Sequence, residues 1–219
     1  MKFIFIIDEW DAIIRETGSD IEIQNSYLNL LREWFKNGNF TSKTVAAAYM
    51  TGILPIKKDQ SQSAISDFRE FTIIKPAIFA KYTGFTESEV RQICHENAMD
   101  FESAKKWYDG YSFGDAESIY NPYSVMMAMN MKEYESYRKQ TSAAENLVTY
   151  INMNMEYLQS DIVKLIAGEY LKVNITNFHN DFQTFKSKDD VLTLLIHLGY
   201  LAYASKEKRV RIPNEEVRF

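Results

Sequence analysis

Phe3-Ile4-Phe5-Ile6-Ile7 is an unbroken apolar run that ends abruptly in Asp8-Glu9, and this feature limits the fold most tightly. Five such residues in succession cannot alternate between core and water. The run therefore reads as a strand covered on both faces, the pattern of a parallel sheet. Tyr27, Leu30, Leu31 and Trp34 then recur at i, i+3, i+4 and i+7, the spacing of an amphipathic helix. Lys36-Asn37-Gly38-Asn39 supplies its stop. A second apolar run, Val45 to Met50, ends at Thr51-Gly52. Strand, helix, strand implies a right-handed crossover in an α/β sheet.

Beyond this opening the pattern changes. Residues 57–67 are polar and read as a loop or frayed helix, and Phe71-Thr72-Ile73-Ile74 as a third strand halted by Pro76. The boundary is set there: an α/β core over residues 1–80 and a mainly helical region over 81–219. Thr86-Glu87-Ser88-Glu89 matches a capping box, and Asn121-Pro122 sets a cap before a first-turn proline. Ser187-Lys188-Asp189-Asp190 opens a helix with Val191, Leu194, Leu195 and Leu198 inside, closed by Gly199. Tyr200–Tyr203 and Val210-Arg211-Ile212 then read as a hairpin. Helix followed by hairpin resembles the end of a winged-helix subdomain.

Composition narrows the function classes. With 219 residues, 46% hydrophobic and 25% charged, the chain can bury a core of one or two domains. A net charge of −5 does not favour a protein that coats nucleic acid, while leaving room for a local basic patch. Cys94 is the sole cysteine, which excludes an intrachain disulfide and a cysteine-based zinc site and fits a reducing cytoplasm. His95, His179 and His197 form no ligand pair at helical spacing. Leu192–Ala204 is too short and too interrupted to cross a membrane, and the N-terminal apolar run is shorter than a signal-peptide core.

The chemical signal is the pair of acids at the strand end. Nucleotide hydrolysis needs a carboxylate there to hold Mg²⁺ and a second one to orient the attacking water. The carboxyl edge of a parallel sheet is where ligands bind. Asp8 would then serve the metal and Glu9 the water, with Thr51 reaching the γ-phosphate or the water from the neighbouring strand. Acids also end strands simply because solvent begins there, and Thr-Gly is also an ordinary turn. No glycine-rich phosphate loop accompanies them. Lys43-Thr44, the only Lys-Thr pair, has Ser42 and Asn37 where the glycines would stand and precedes a strand.

Phe5-Ile6-Ile7-Asp8-Glu9-Trp10-Asp11 resembles the Walker B segment of a bacterial family of predicted AAA-ATPase-like proteins. Tyr49–Leu54, Gly84–Val90, Trp107–Tyr111, Tyr120–Pro122, Leu198–Leu201 and Ile212–Val217 resemble later segments of that family in the same order. The resemblance implies a P-loop ATPase sheet that starts here at Walker B, without the phosphate-binding segment of full members. It further implies ATP and Mg²⁺ as cofactors of the intact protein, with none bound by this chain alone. Carried across, Asp8 is the metal carboxylate, Glu9 the catalytic acid and Thr51 a sensor-like residue. Arg69 is a candidate phosphate contact, and Asp11 a family acid without an assigned task.

Family members often continue into a nuclease-like domain of the PD-D/E-x-K type, so that domain and the P-loop segment are the expected partners. A second copy of the chain and nucleic acid are further candidates. The leading expectation is thus a nucleotide-dependent switch or ATPase that does not turn over ATP as this chain alone. The alternative is a non-catalytic protein- or DNA-interaction module using the terminal hairpin, where Lys206, Lys208, Arg209 and Arg211 cluster. Asp109-Gly110 between aromatics reads as a tight turn pinned to a helical subdomain.

Overall fold

A computed structural model describes residues 1–17, 20–53, 67–114, 116–138, 157–176 and 187–218. The described residues fall into two compact units, one within Met1–Glu70 and one from Phe71 onward.

The first unit is a parallel pair of strands with helices between them. β1 (Phe3–Ile7) leads through α1 (Ala12–Glu16), α2 (Ile21–Phe35) and α3 (Gly38–Thr44) into β2 (Val45–Met50). The two strands run parallel, with Ile4 opposite Ala47, Ile6 opposite Tyr49 and Ile7 opposite Met50. Alternation along the strands sorts the side chains. Phe5, Ile7, Ala48 and Met50 join the core formed by Trp10, Leu28, Leu31 and Phe35. Ile4, Ile6 and Tyr49 point away from it and are 70%, 77% and 57% exposed.

Helix α2 buries Leu28, Leu31 and Phe35, with Tyr27 and Trp34 at the margin, whereas Leu30 is exposed. The buried stripe is thus turned from the expected one by a fraction of a turn. The stop at Lys36 holds, yet Gly38 opens a further helix instead of a loop. The Asn37 side chain caps α3 by accepting from the Asn39 and Phe40 amides at 3.2 and 3.5 Å. Lys43-Thr44 ends that helix, so the pair does not open a helix as a phosphate-binding Lys-Thr would. The expectation for residues 57–67 lies outside the described residues save for Asp67, which sits in a turn.

The second unit mixes helices with two small antiparallel sheets. Phe71–Ile74 is not a strand. Thr72 and Lys75 instead exchange backbone hydrogen bonds of 3.0 and 3.3 Å in a tight turn, and Ile73 and Ile74 pack on a core from the end of the chain. A 3₁₀ helix, Ala77–Tyr82, leads to β3 (Phe85–Thr86) and α4 (Glu87–Glu96), which carries the capping box between Thr86 and Glu89. Next come α5 (Phe101–Tyr108), β4 (Tyr111–Phe113), β5 (Ala116–Tyr120) and α6 (Pro122–Met131). Strands β3, β5 and β4 form one sheet in that order, a sheet that the helical reading of this region did not foresee.

The chain then contributes α7 (Leu158–Ile166), β6 (Leu171–Lys172), α8 (Lys188–His197), β7 (Ala202–Ala204), β8 (Arg209–Arg211) and α9 (Glu215–Arg218). These last strands pair antiparallel in the order β6-β8-β7. Ser187 and Asp190 form a capping box at the start of α8, and Gly199 at a φ of +74° ends it.

The Trp107–Tyr111 segment is a structural tie within this unit. Gly110 has a φ of +115°, and a Cβ there would lie 2.1 Å from the Pro213 carbonyl oxygen. Its own carbonyl accepts from Arg211 Nη2 at 2.9 Å, and Asn214 Nδ2 donates to the Asp109 carbonyl at 2.8 Å. Tyr111 donates to the Gly199 carbonyl at 2.6 Å.

Candidate functional site

The site lies where β1 and β2 end. Backbone pairing continues past the strands, because the Thr51 amide donates to the Ile7 carbonyl at 2.9 Å and the Trp10 amide to the Thr51 carbonyl at 2.8 Å. This pairing sets Asp8 and Thr51 side by side. The Thr51 hydroxyl donates to Asp8 Oδ1. The same Oδ1 accepts from the Glu9 amide at 3.1 Å, and that amide also lies 3.2 Å from the Thr51 hydroxyl oxygen. Asp8 Oδ2 accepts no hydrogen bond among the described residues, and Asp8 is exposed.

Glu9 turns the chain off the strand at a φ of +50°. For a residue with a side chain, this left-handed conformation costs about 1–2 kcal/mol, and such strain concentrates at functional sites. Arg15, on α1, fixes the Glu9 side chain through an Nη2–Oε2 contact of 2.9 Å. Its Nε donates to Asp11 Oδ2 at 3.1 Å, one helical turn back. Asp11 is 1% exposed, and its Oδ1 accepts from the Ile53 amide at 3.3 Å.

Behind these acids Trp10 is buried against Gly52, where an added Cβ would lie 2.6 Å from the indole nitrogen and 2.9 Å from Asp11 Oδ1. Gly52 is therefore required by close packing, not by the tight turn its position suggested. Tyr27 donates to the Trp10 carbonyl at 2.8 Å. Burial, aided by the Asp11 charge, pushes the Tyr27 phenol above its ordinary range and keeps it a donor.

Three of the four residues singled out from sequence, Asp8, Glu9 and Thr51, thus meet in one cluster. Arg69 is exposed and is not joined to any of them in the described contacts. Asp11, without a task in the sequence reading, anchors Arg15. Arg15 itself was missed, although its i, i+4 spacing from Asp11 was visible as a signal.

One free oxygen of an exposed carboxylate, next to a hydroxyl, is a hard donor set. It fits a Mg²⁺ that keeps several waters and takes few protein ligands. No group of three or more metal-ligating side chains occurs among the described residues, so a cation that demands an all-protein cage is not matched here.

Residues 1–61, the stretch that carries this cluster, match the model of a family described as predicted AAA-ATPase. An uncharacterized protein from the vnfD 5′ region of Azotobacter chroococcum mcd 1 is 20% identical over 227 residues. That alignment takes in 99% of this chain but 41% of the relative, so the chain spans well under half of that protein's length. No solved structure matches. No helix among the described residues is long and apolar enough to cross a membrane.

Proposed function

We propose that the first unit is the acidic half of a Mg²⁺–ATP site, acting in a nucleotide-dependent switch or ATPase. The observation that carries this reading is the Asp8–Thr51–Glu9 cluster at the carboxyl end of two parallel strands. Asp8 would hold Mg²⁺ through Oδ2, with water completing the shell. Bound there, the ion would neutralise phosphate charge. Thr51 orients Asp8 and lies where a γ-phosphate or its attacking water can be sensed. Glu9 is the acid that orients the water.

Two carboxylates alone repel a triphosphate. Positioning and electrostatic stabilisation supply most of phosphoryl-transfer catalysis, and the sequence holds no glycine-rich loop with its lysine. The reading therefore includes a P-loop segment from the longer protein. The bare side of the sheet at Ile4, Ile6 and Tyr49 supports it, since parallel sheets are normally covered on both faces. A nuclease-like domain is likewise a proposal about the longer protein, and Arg69 remains a candidate phosphate contact only in that context.

Calorimetry and phosphate release with Mg-ATP, on this chain and on an N-terminally extended form, test the reading. Turnover that appears only in the extended form and is lost in Glu9→Gln is the expected result. Micromolar binding with Glu9-dependent turnover by this chain alone would overturn the need for a phosphate-binding segment. No binding or turnover by either form would overturn the nucleotide site.

A second reading concerns the end of the chain. The order α7-β6-α8-β7-β8, with sheet order β6-β8-β7, supports a winged-helix-like unit. Lys172 and Arg209 stand directly opposite each other on neighbouring strands, both exposed. Like charges in that position cost stability, and neither has an ion-pair partner among the described residues. The arrangement favours an anionic partner, and the phosphate backbone of duplex DNA is the partner we assign.

A further inference from the structure

We propose, on the basis of the nucleotide-site reading, that Arg15 is the positioning residue for the Glu9 carboxylate, with buried Asp11 as its anchor. A glutamate side chain turns about three bonds, and this one is 58% exposed. Left to itself it would sample several rotamers, few of them useful for aligning a water. Arg15 removes that freedom. Its guanidinium is a planar fork whose donors point in fixed directions, and it uses two of them on two different acids. Nε is held by Asp11, whose side chain is 2% exposed, and Nη2 holds Glu9.

Asp11 is itself fixed from two directions. Its Oδ1 takes the Ile53 amide just beyond β2, and its backbone carbonyl accepts from the Arg15 amide at 2.9 Å in the first turn of α1. The ends of both strands and the start of α1 thus determine where the Glu9 carboxylate sits. Lysine would keep the charge of Arg15 but could not present two separate nitrogens along these directions.

Loss of the pair bares the Glu9 carboxylate and removes the positive charge beside it, so the modification rate reads the Arg15–Glu9 contact, and the split between kcat and KM reads its positioning role. The test is the rate at which a carbodiimide and an amine modify Glu9, read by mass spectrometry on the folded chain, with Asp8 as internal reference. The expected result is a several-fold faster modification of Glu9 in Arg15→Met and in Asp11→Asn, a smaller rise in Arg15→Lys, and no change at Asp8. Equal Glu9 rates in the parent and in a variant that retains its circular dichroism would overturn the proposal. Arg15→Lys, which keeps the charge, supplies that comparison if Arg15→Met loses its fold.

In the N-terminally extended form, Arg15→Met should lower kcat about 10- to 100-fold, with KM within about twofold. The loss should not add to that of Glu9→Gln. A raised KM with unchanged kcat would contradict the assignment. Absence of turnover in the extended parent would count against the nucleotide reading, and the modification rates would then decide the Arg15–Glu9 coupling separately.

Discussion

Gly52 is the residue on which the candidate site leans most directly. A methyl group there would press on the Trp10 ring, which belongs to the core, and on Oδ1 of the buried Asp11. Gly52→Ala is expected to destabilise the first unit by about 1–3 kcal/mol, the usual cost of overpacking, measured by urea denaturation. Because Trp10 and Asp11 follow directly on the Glu9 turn, the same substitution should also speed Glu9 modification. His197 gives a residue-scale prediction in the second unit. Burial lowers its pKa from 6.5 to about 4. Between those values the unfolded chain takes up a proton that the folded chain refuses, so stability is present near neutrality and is lost as pH falls from 6.5 towards 4. His197→Gln should flatten that part of the curve of stability against pH.

At the scale of elements, the alternation along β1 makes neighbouring residues behave differently. Ile6 is exposed, whereas Ile7 belongs to the core with Met50 and Trp10. Ile6→Lys should change stability by less than about 1 kcal/mol, and Ile7→Ala should cost about 2 kcal/mol or more, in the same denaturation experiment. Equal costs would mean that the outer face is covered in solution. The strands β1 and β2 were legible in the sequence because their apolar runs are long and end sharply. The capping box at Thr86 and the helix start at Ser187 were legible because the residues that make them lie within four positions. The buried stripe of α2 was misjudged at Leu30, since periodicity gives the spacing of a face but not its angle to the sheet. Phe71–Ile74 carries strand-forming residues, yet its isoleucines are used by a distant core while Thr72 and Lys75 close a turn. The strands Phe85–Thr86 and Tyr111–Phe113 are too short to produce a period, and Ala116–Tyr120, though as long as β1, carries Glu117 and Ser118 where β1 has an apolar run. Within the site, residues at strand ends could be found by position. Arg15 could not be assigned, because its link to Glu9 depends on the path of the chain through a left-handed residue.

At the scale of the whole molecule, the acidic total hides a local positive surface whose residues the structure sorts by task. Arg211 donates to the carbonyls of Ile212, Pro213 and Gly110, at 3.3, 2.8 and 2.9 Å, and so belongs to the architecture of the second unit. It is therefore not a sound probe of binding, although the sequence grouped it with Arg209. Lys172, far away in the chain, takes its place beside Arg209, with Lys206 and Lys208 on the adjoining turn and Glu207 as the acid between them. Helix α8 buries all of Val191 to Ile196, so this stretch offers no polar face for reading base edges. Any DNA contact made here should then be to phosphates and independent of sequence. The expected affinity is that of non-specific binding, a Kd of about 10⁻⁴–10⁻⁶ M that weakens steeply with salt. Fluorescence anisotropy with a labelled duplex should show Lys172→Glu/Arg209→Glu abolishing most binding without unfolding the chain. The corresponding alanine pair should reduce the salt slope by about two, one for each phosphate contact removed. Arg211→Glu should instead lower stability by about 2 kcal/mol or more by stranding three buried or half-buried carbonyls. No binding by the parent at about 50 mM salt, a salt at which phosphate contacts are strong, would end the assignment. So would equal binding by the charge-reversed pair, or binding to anionic vesicles and not to the duplex.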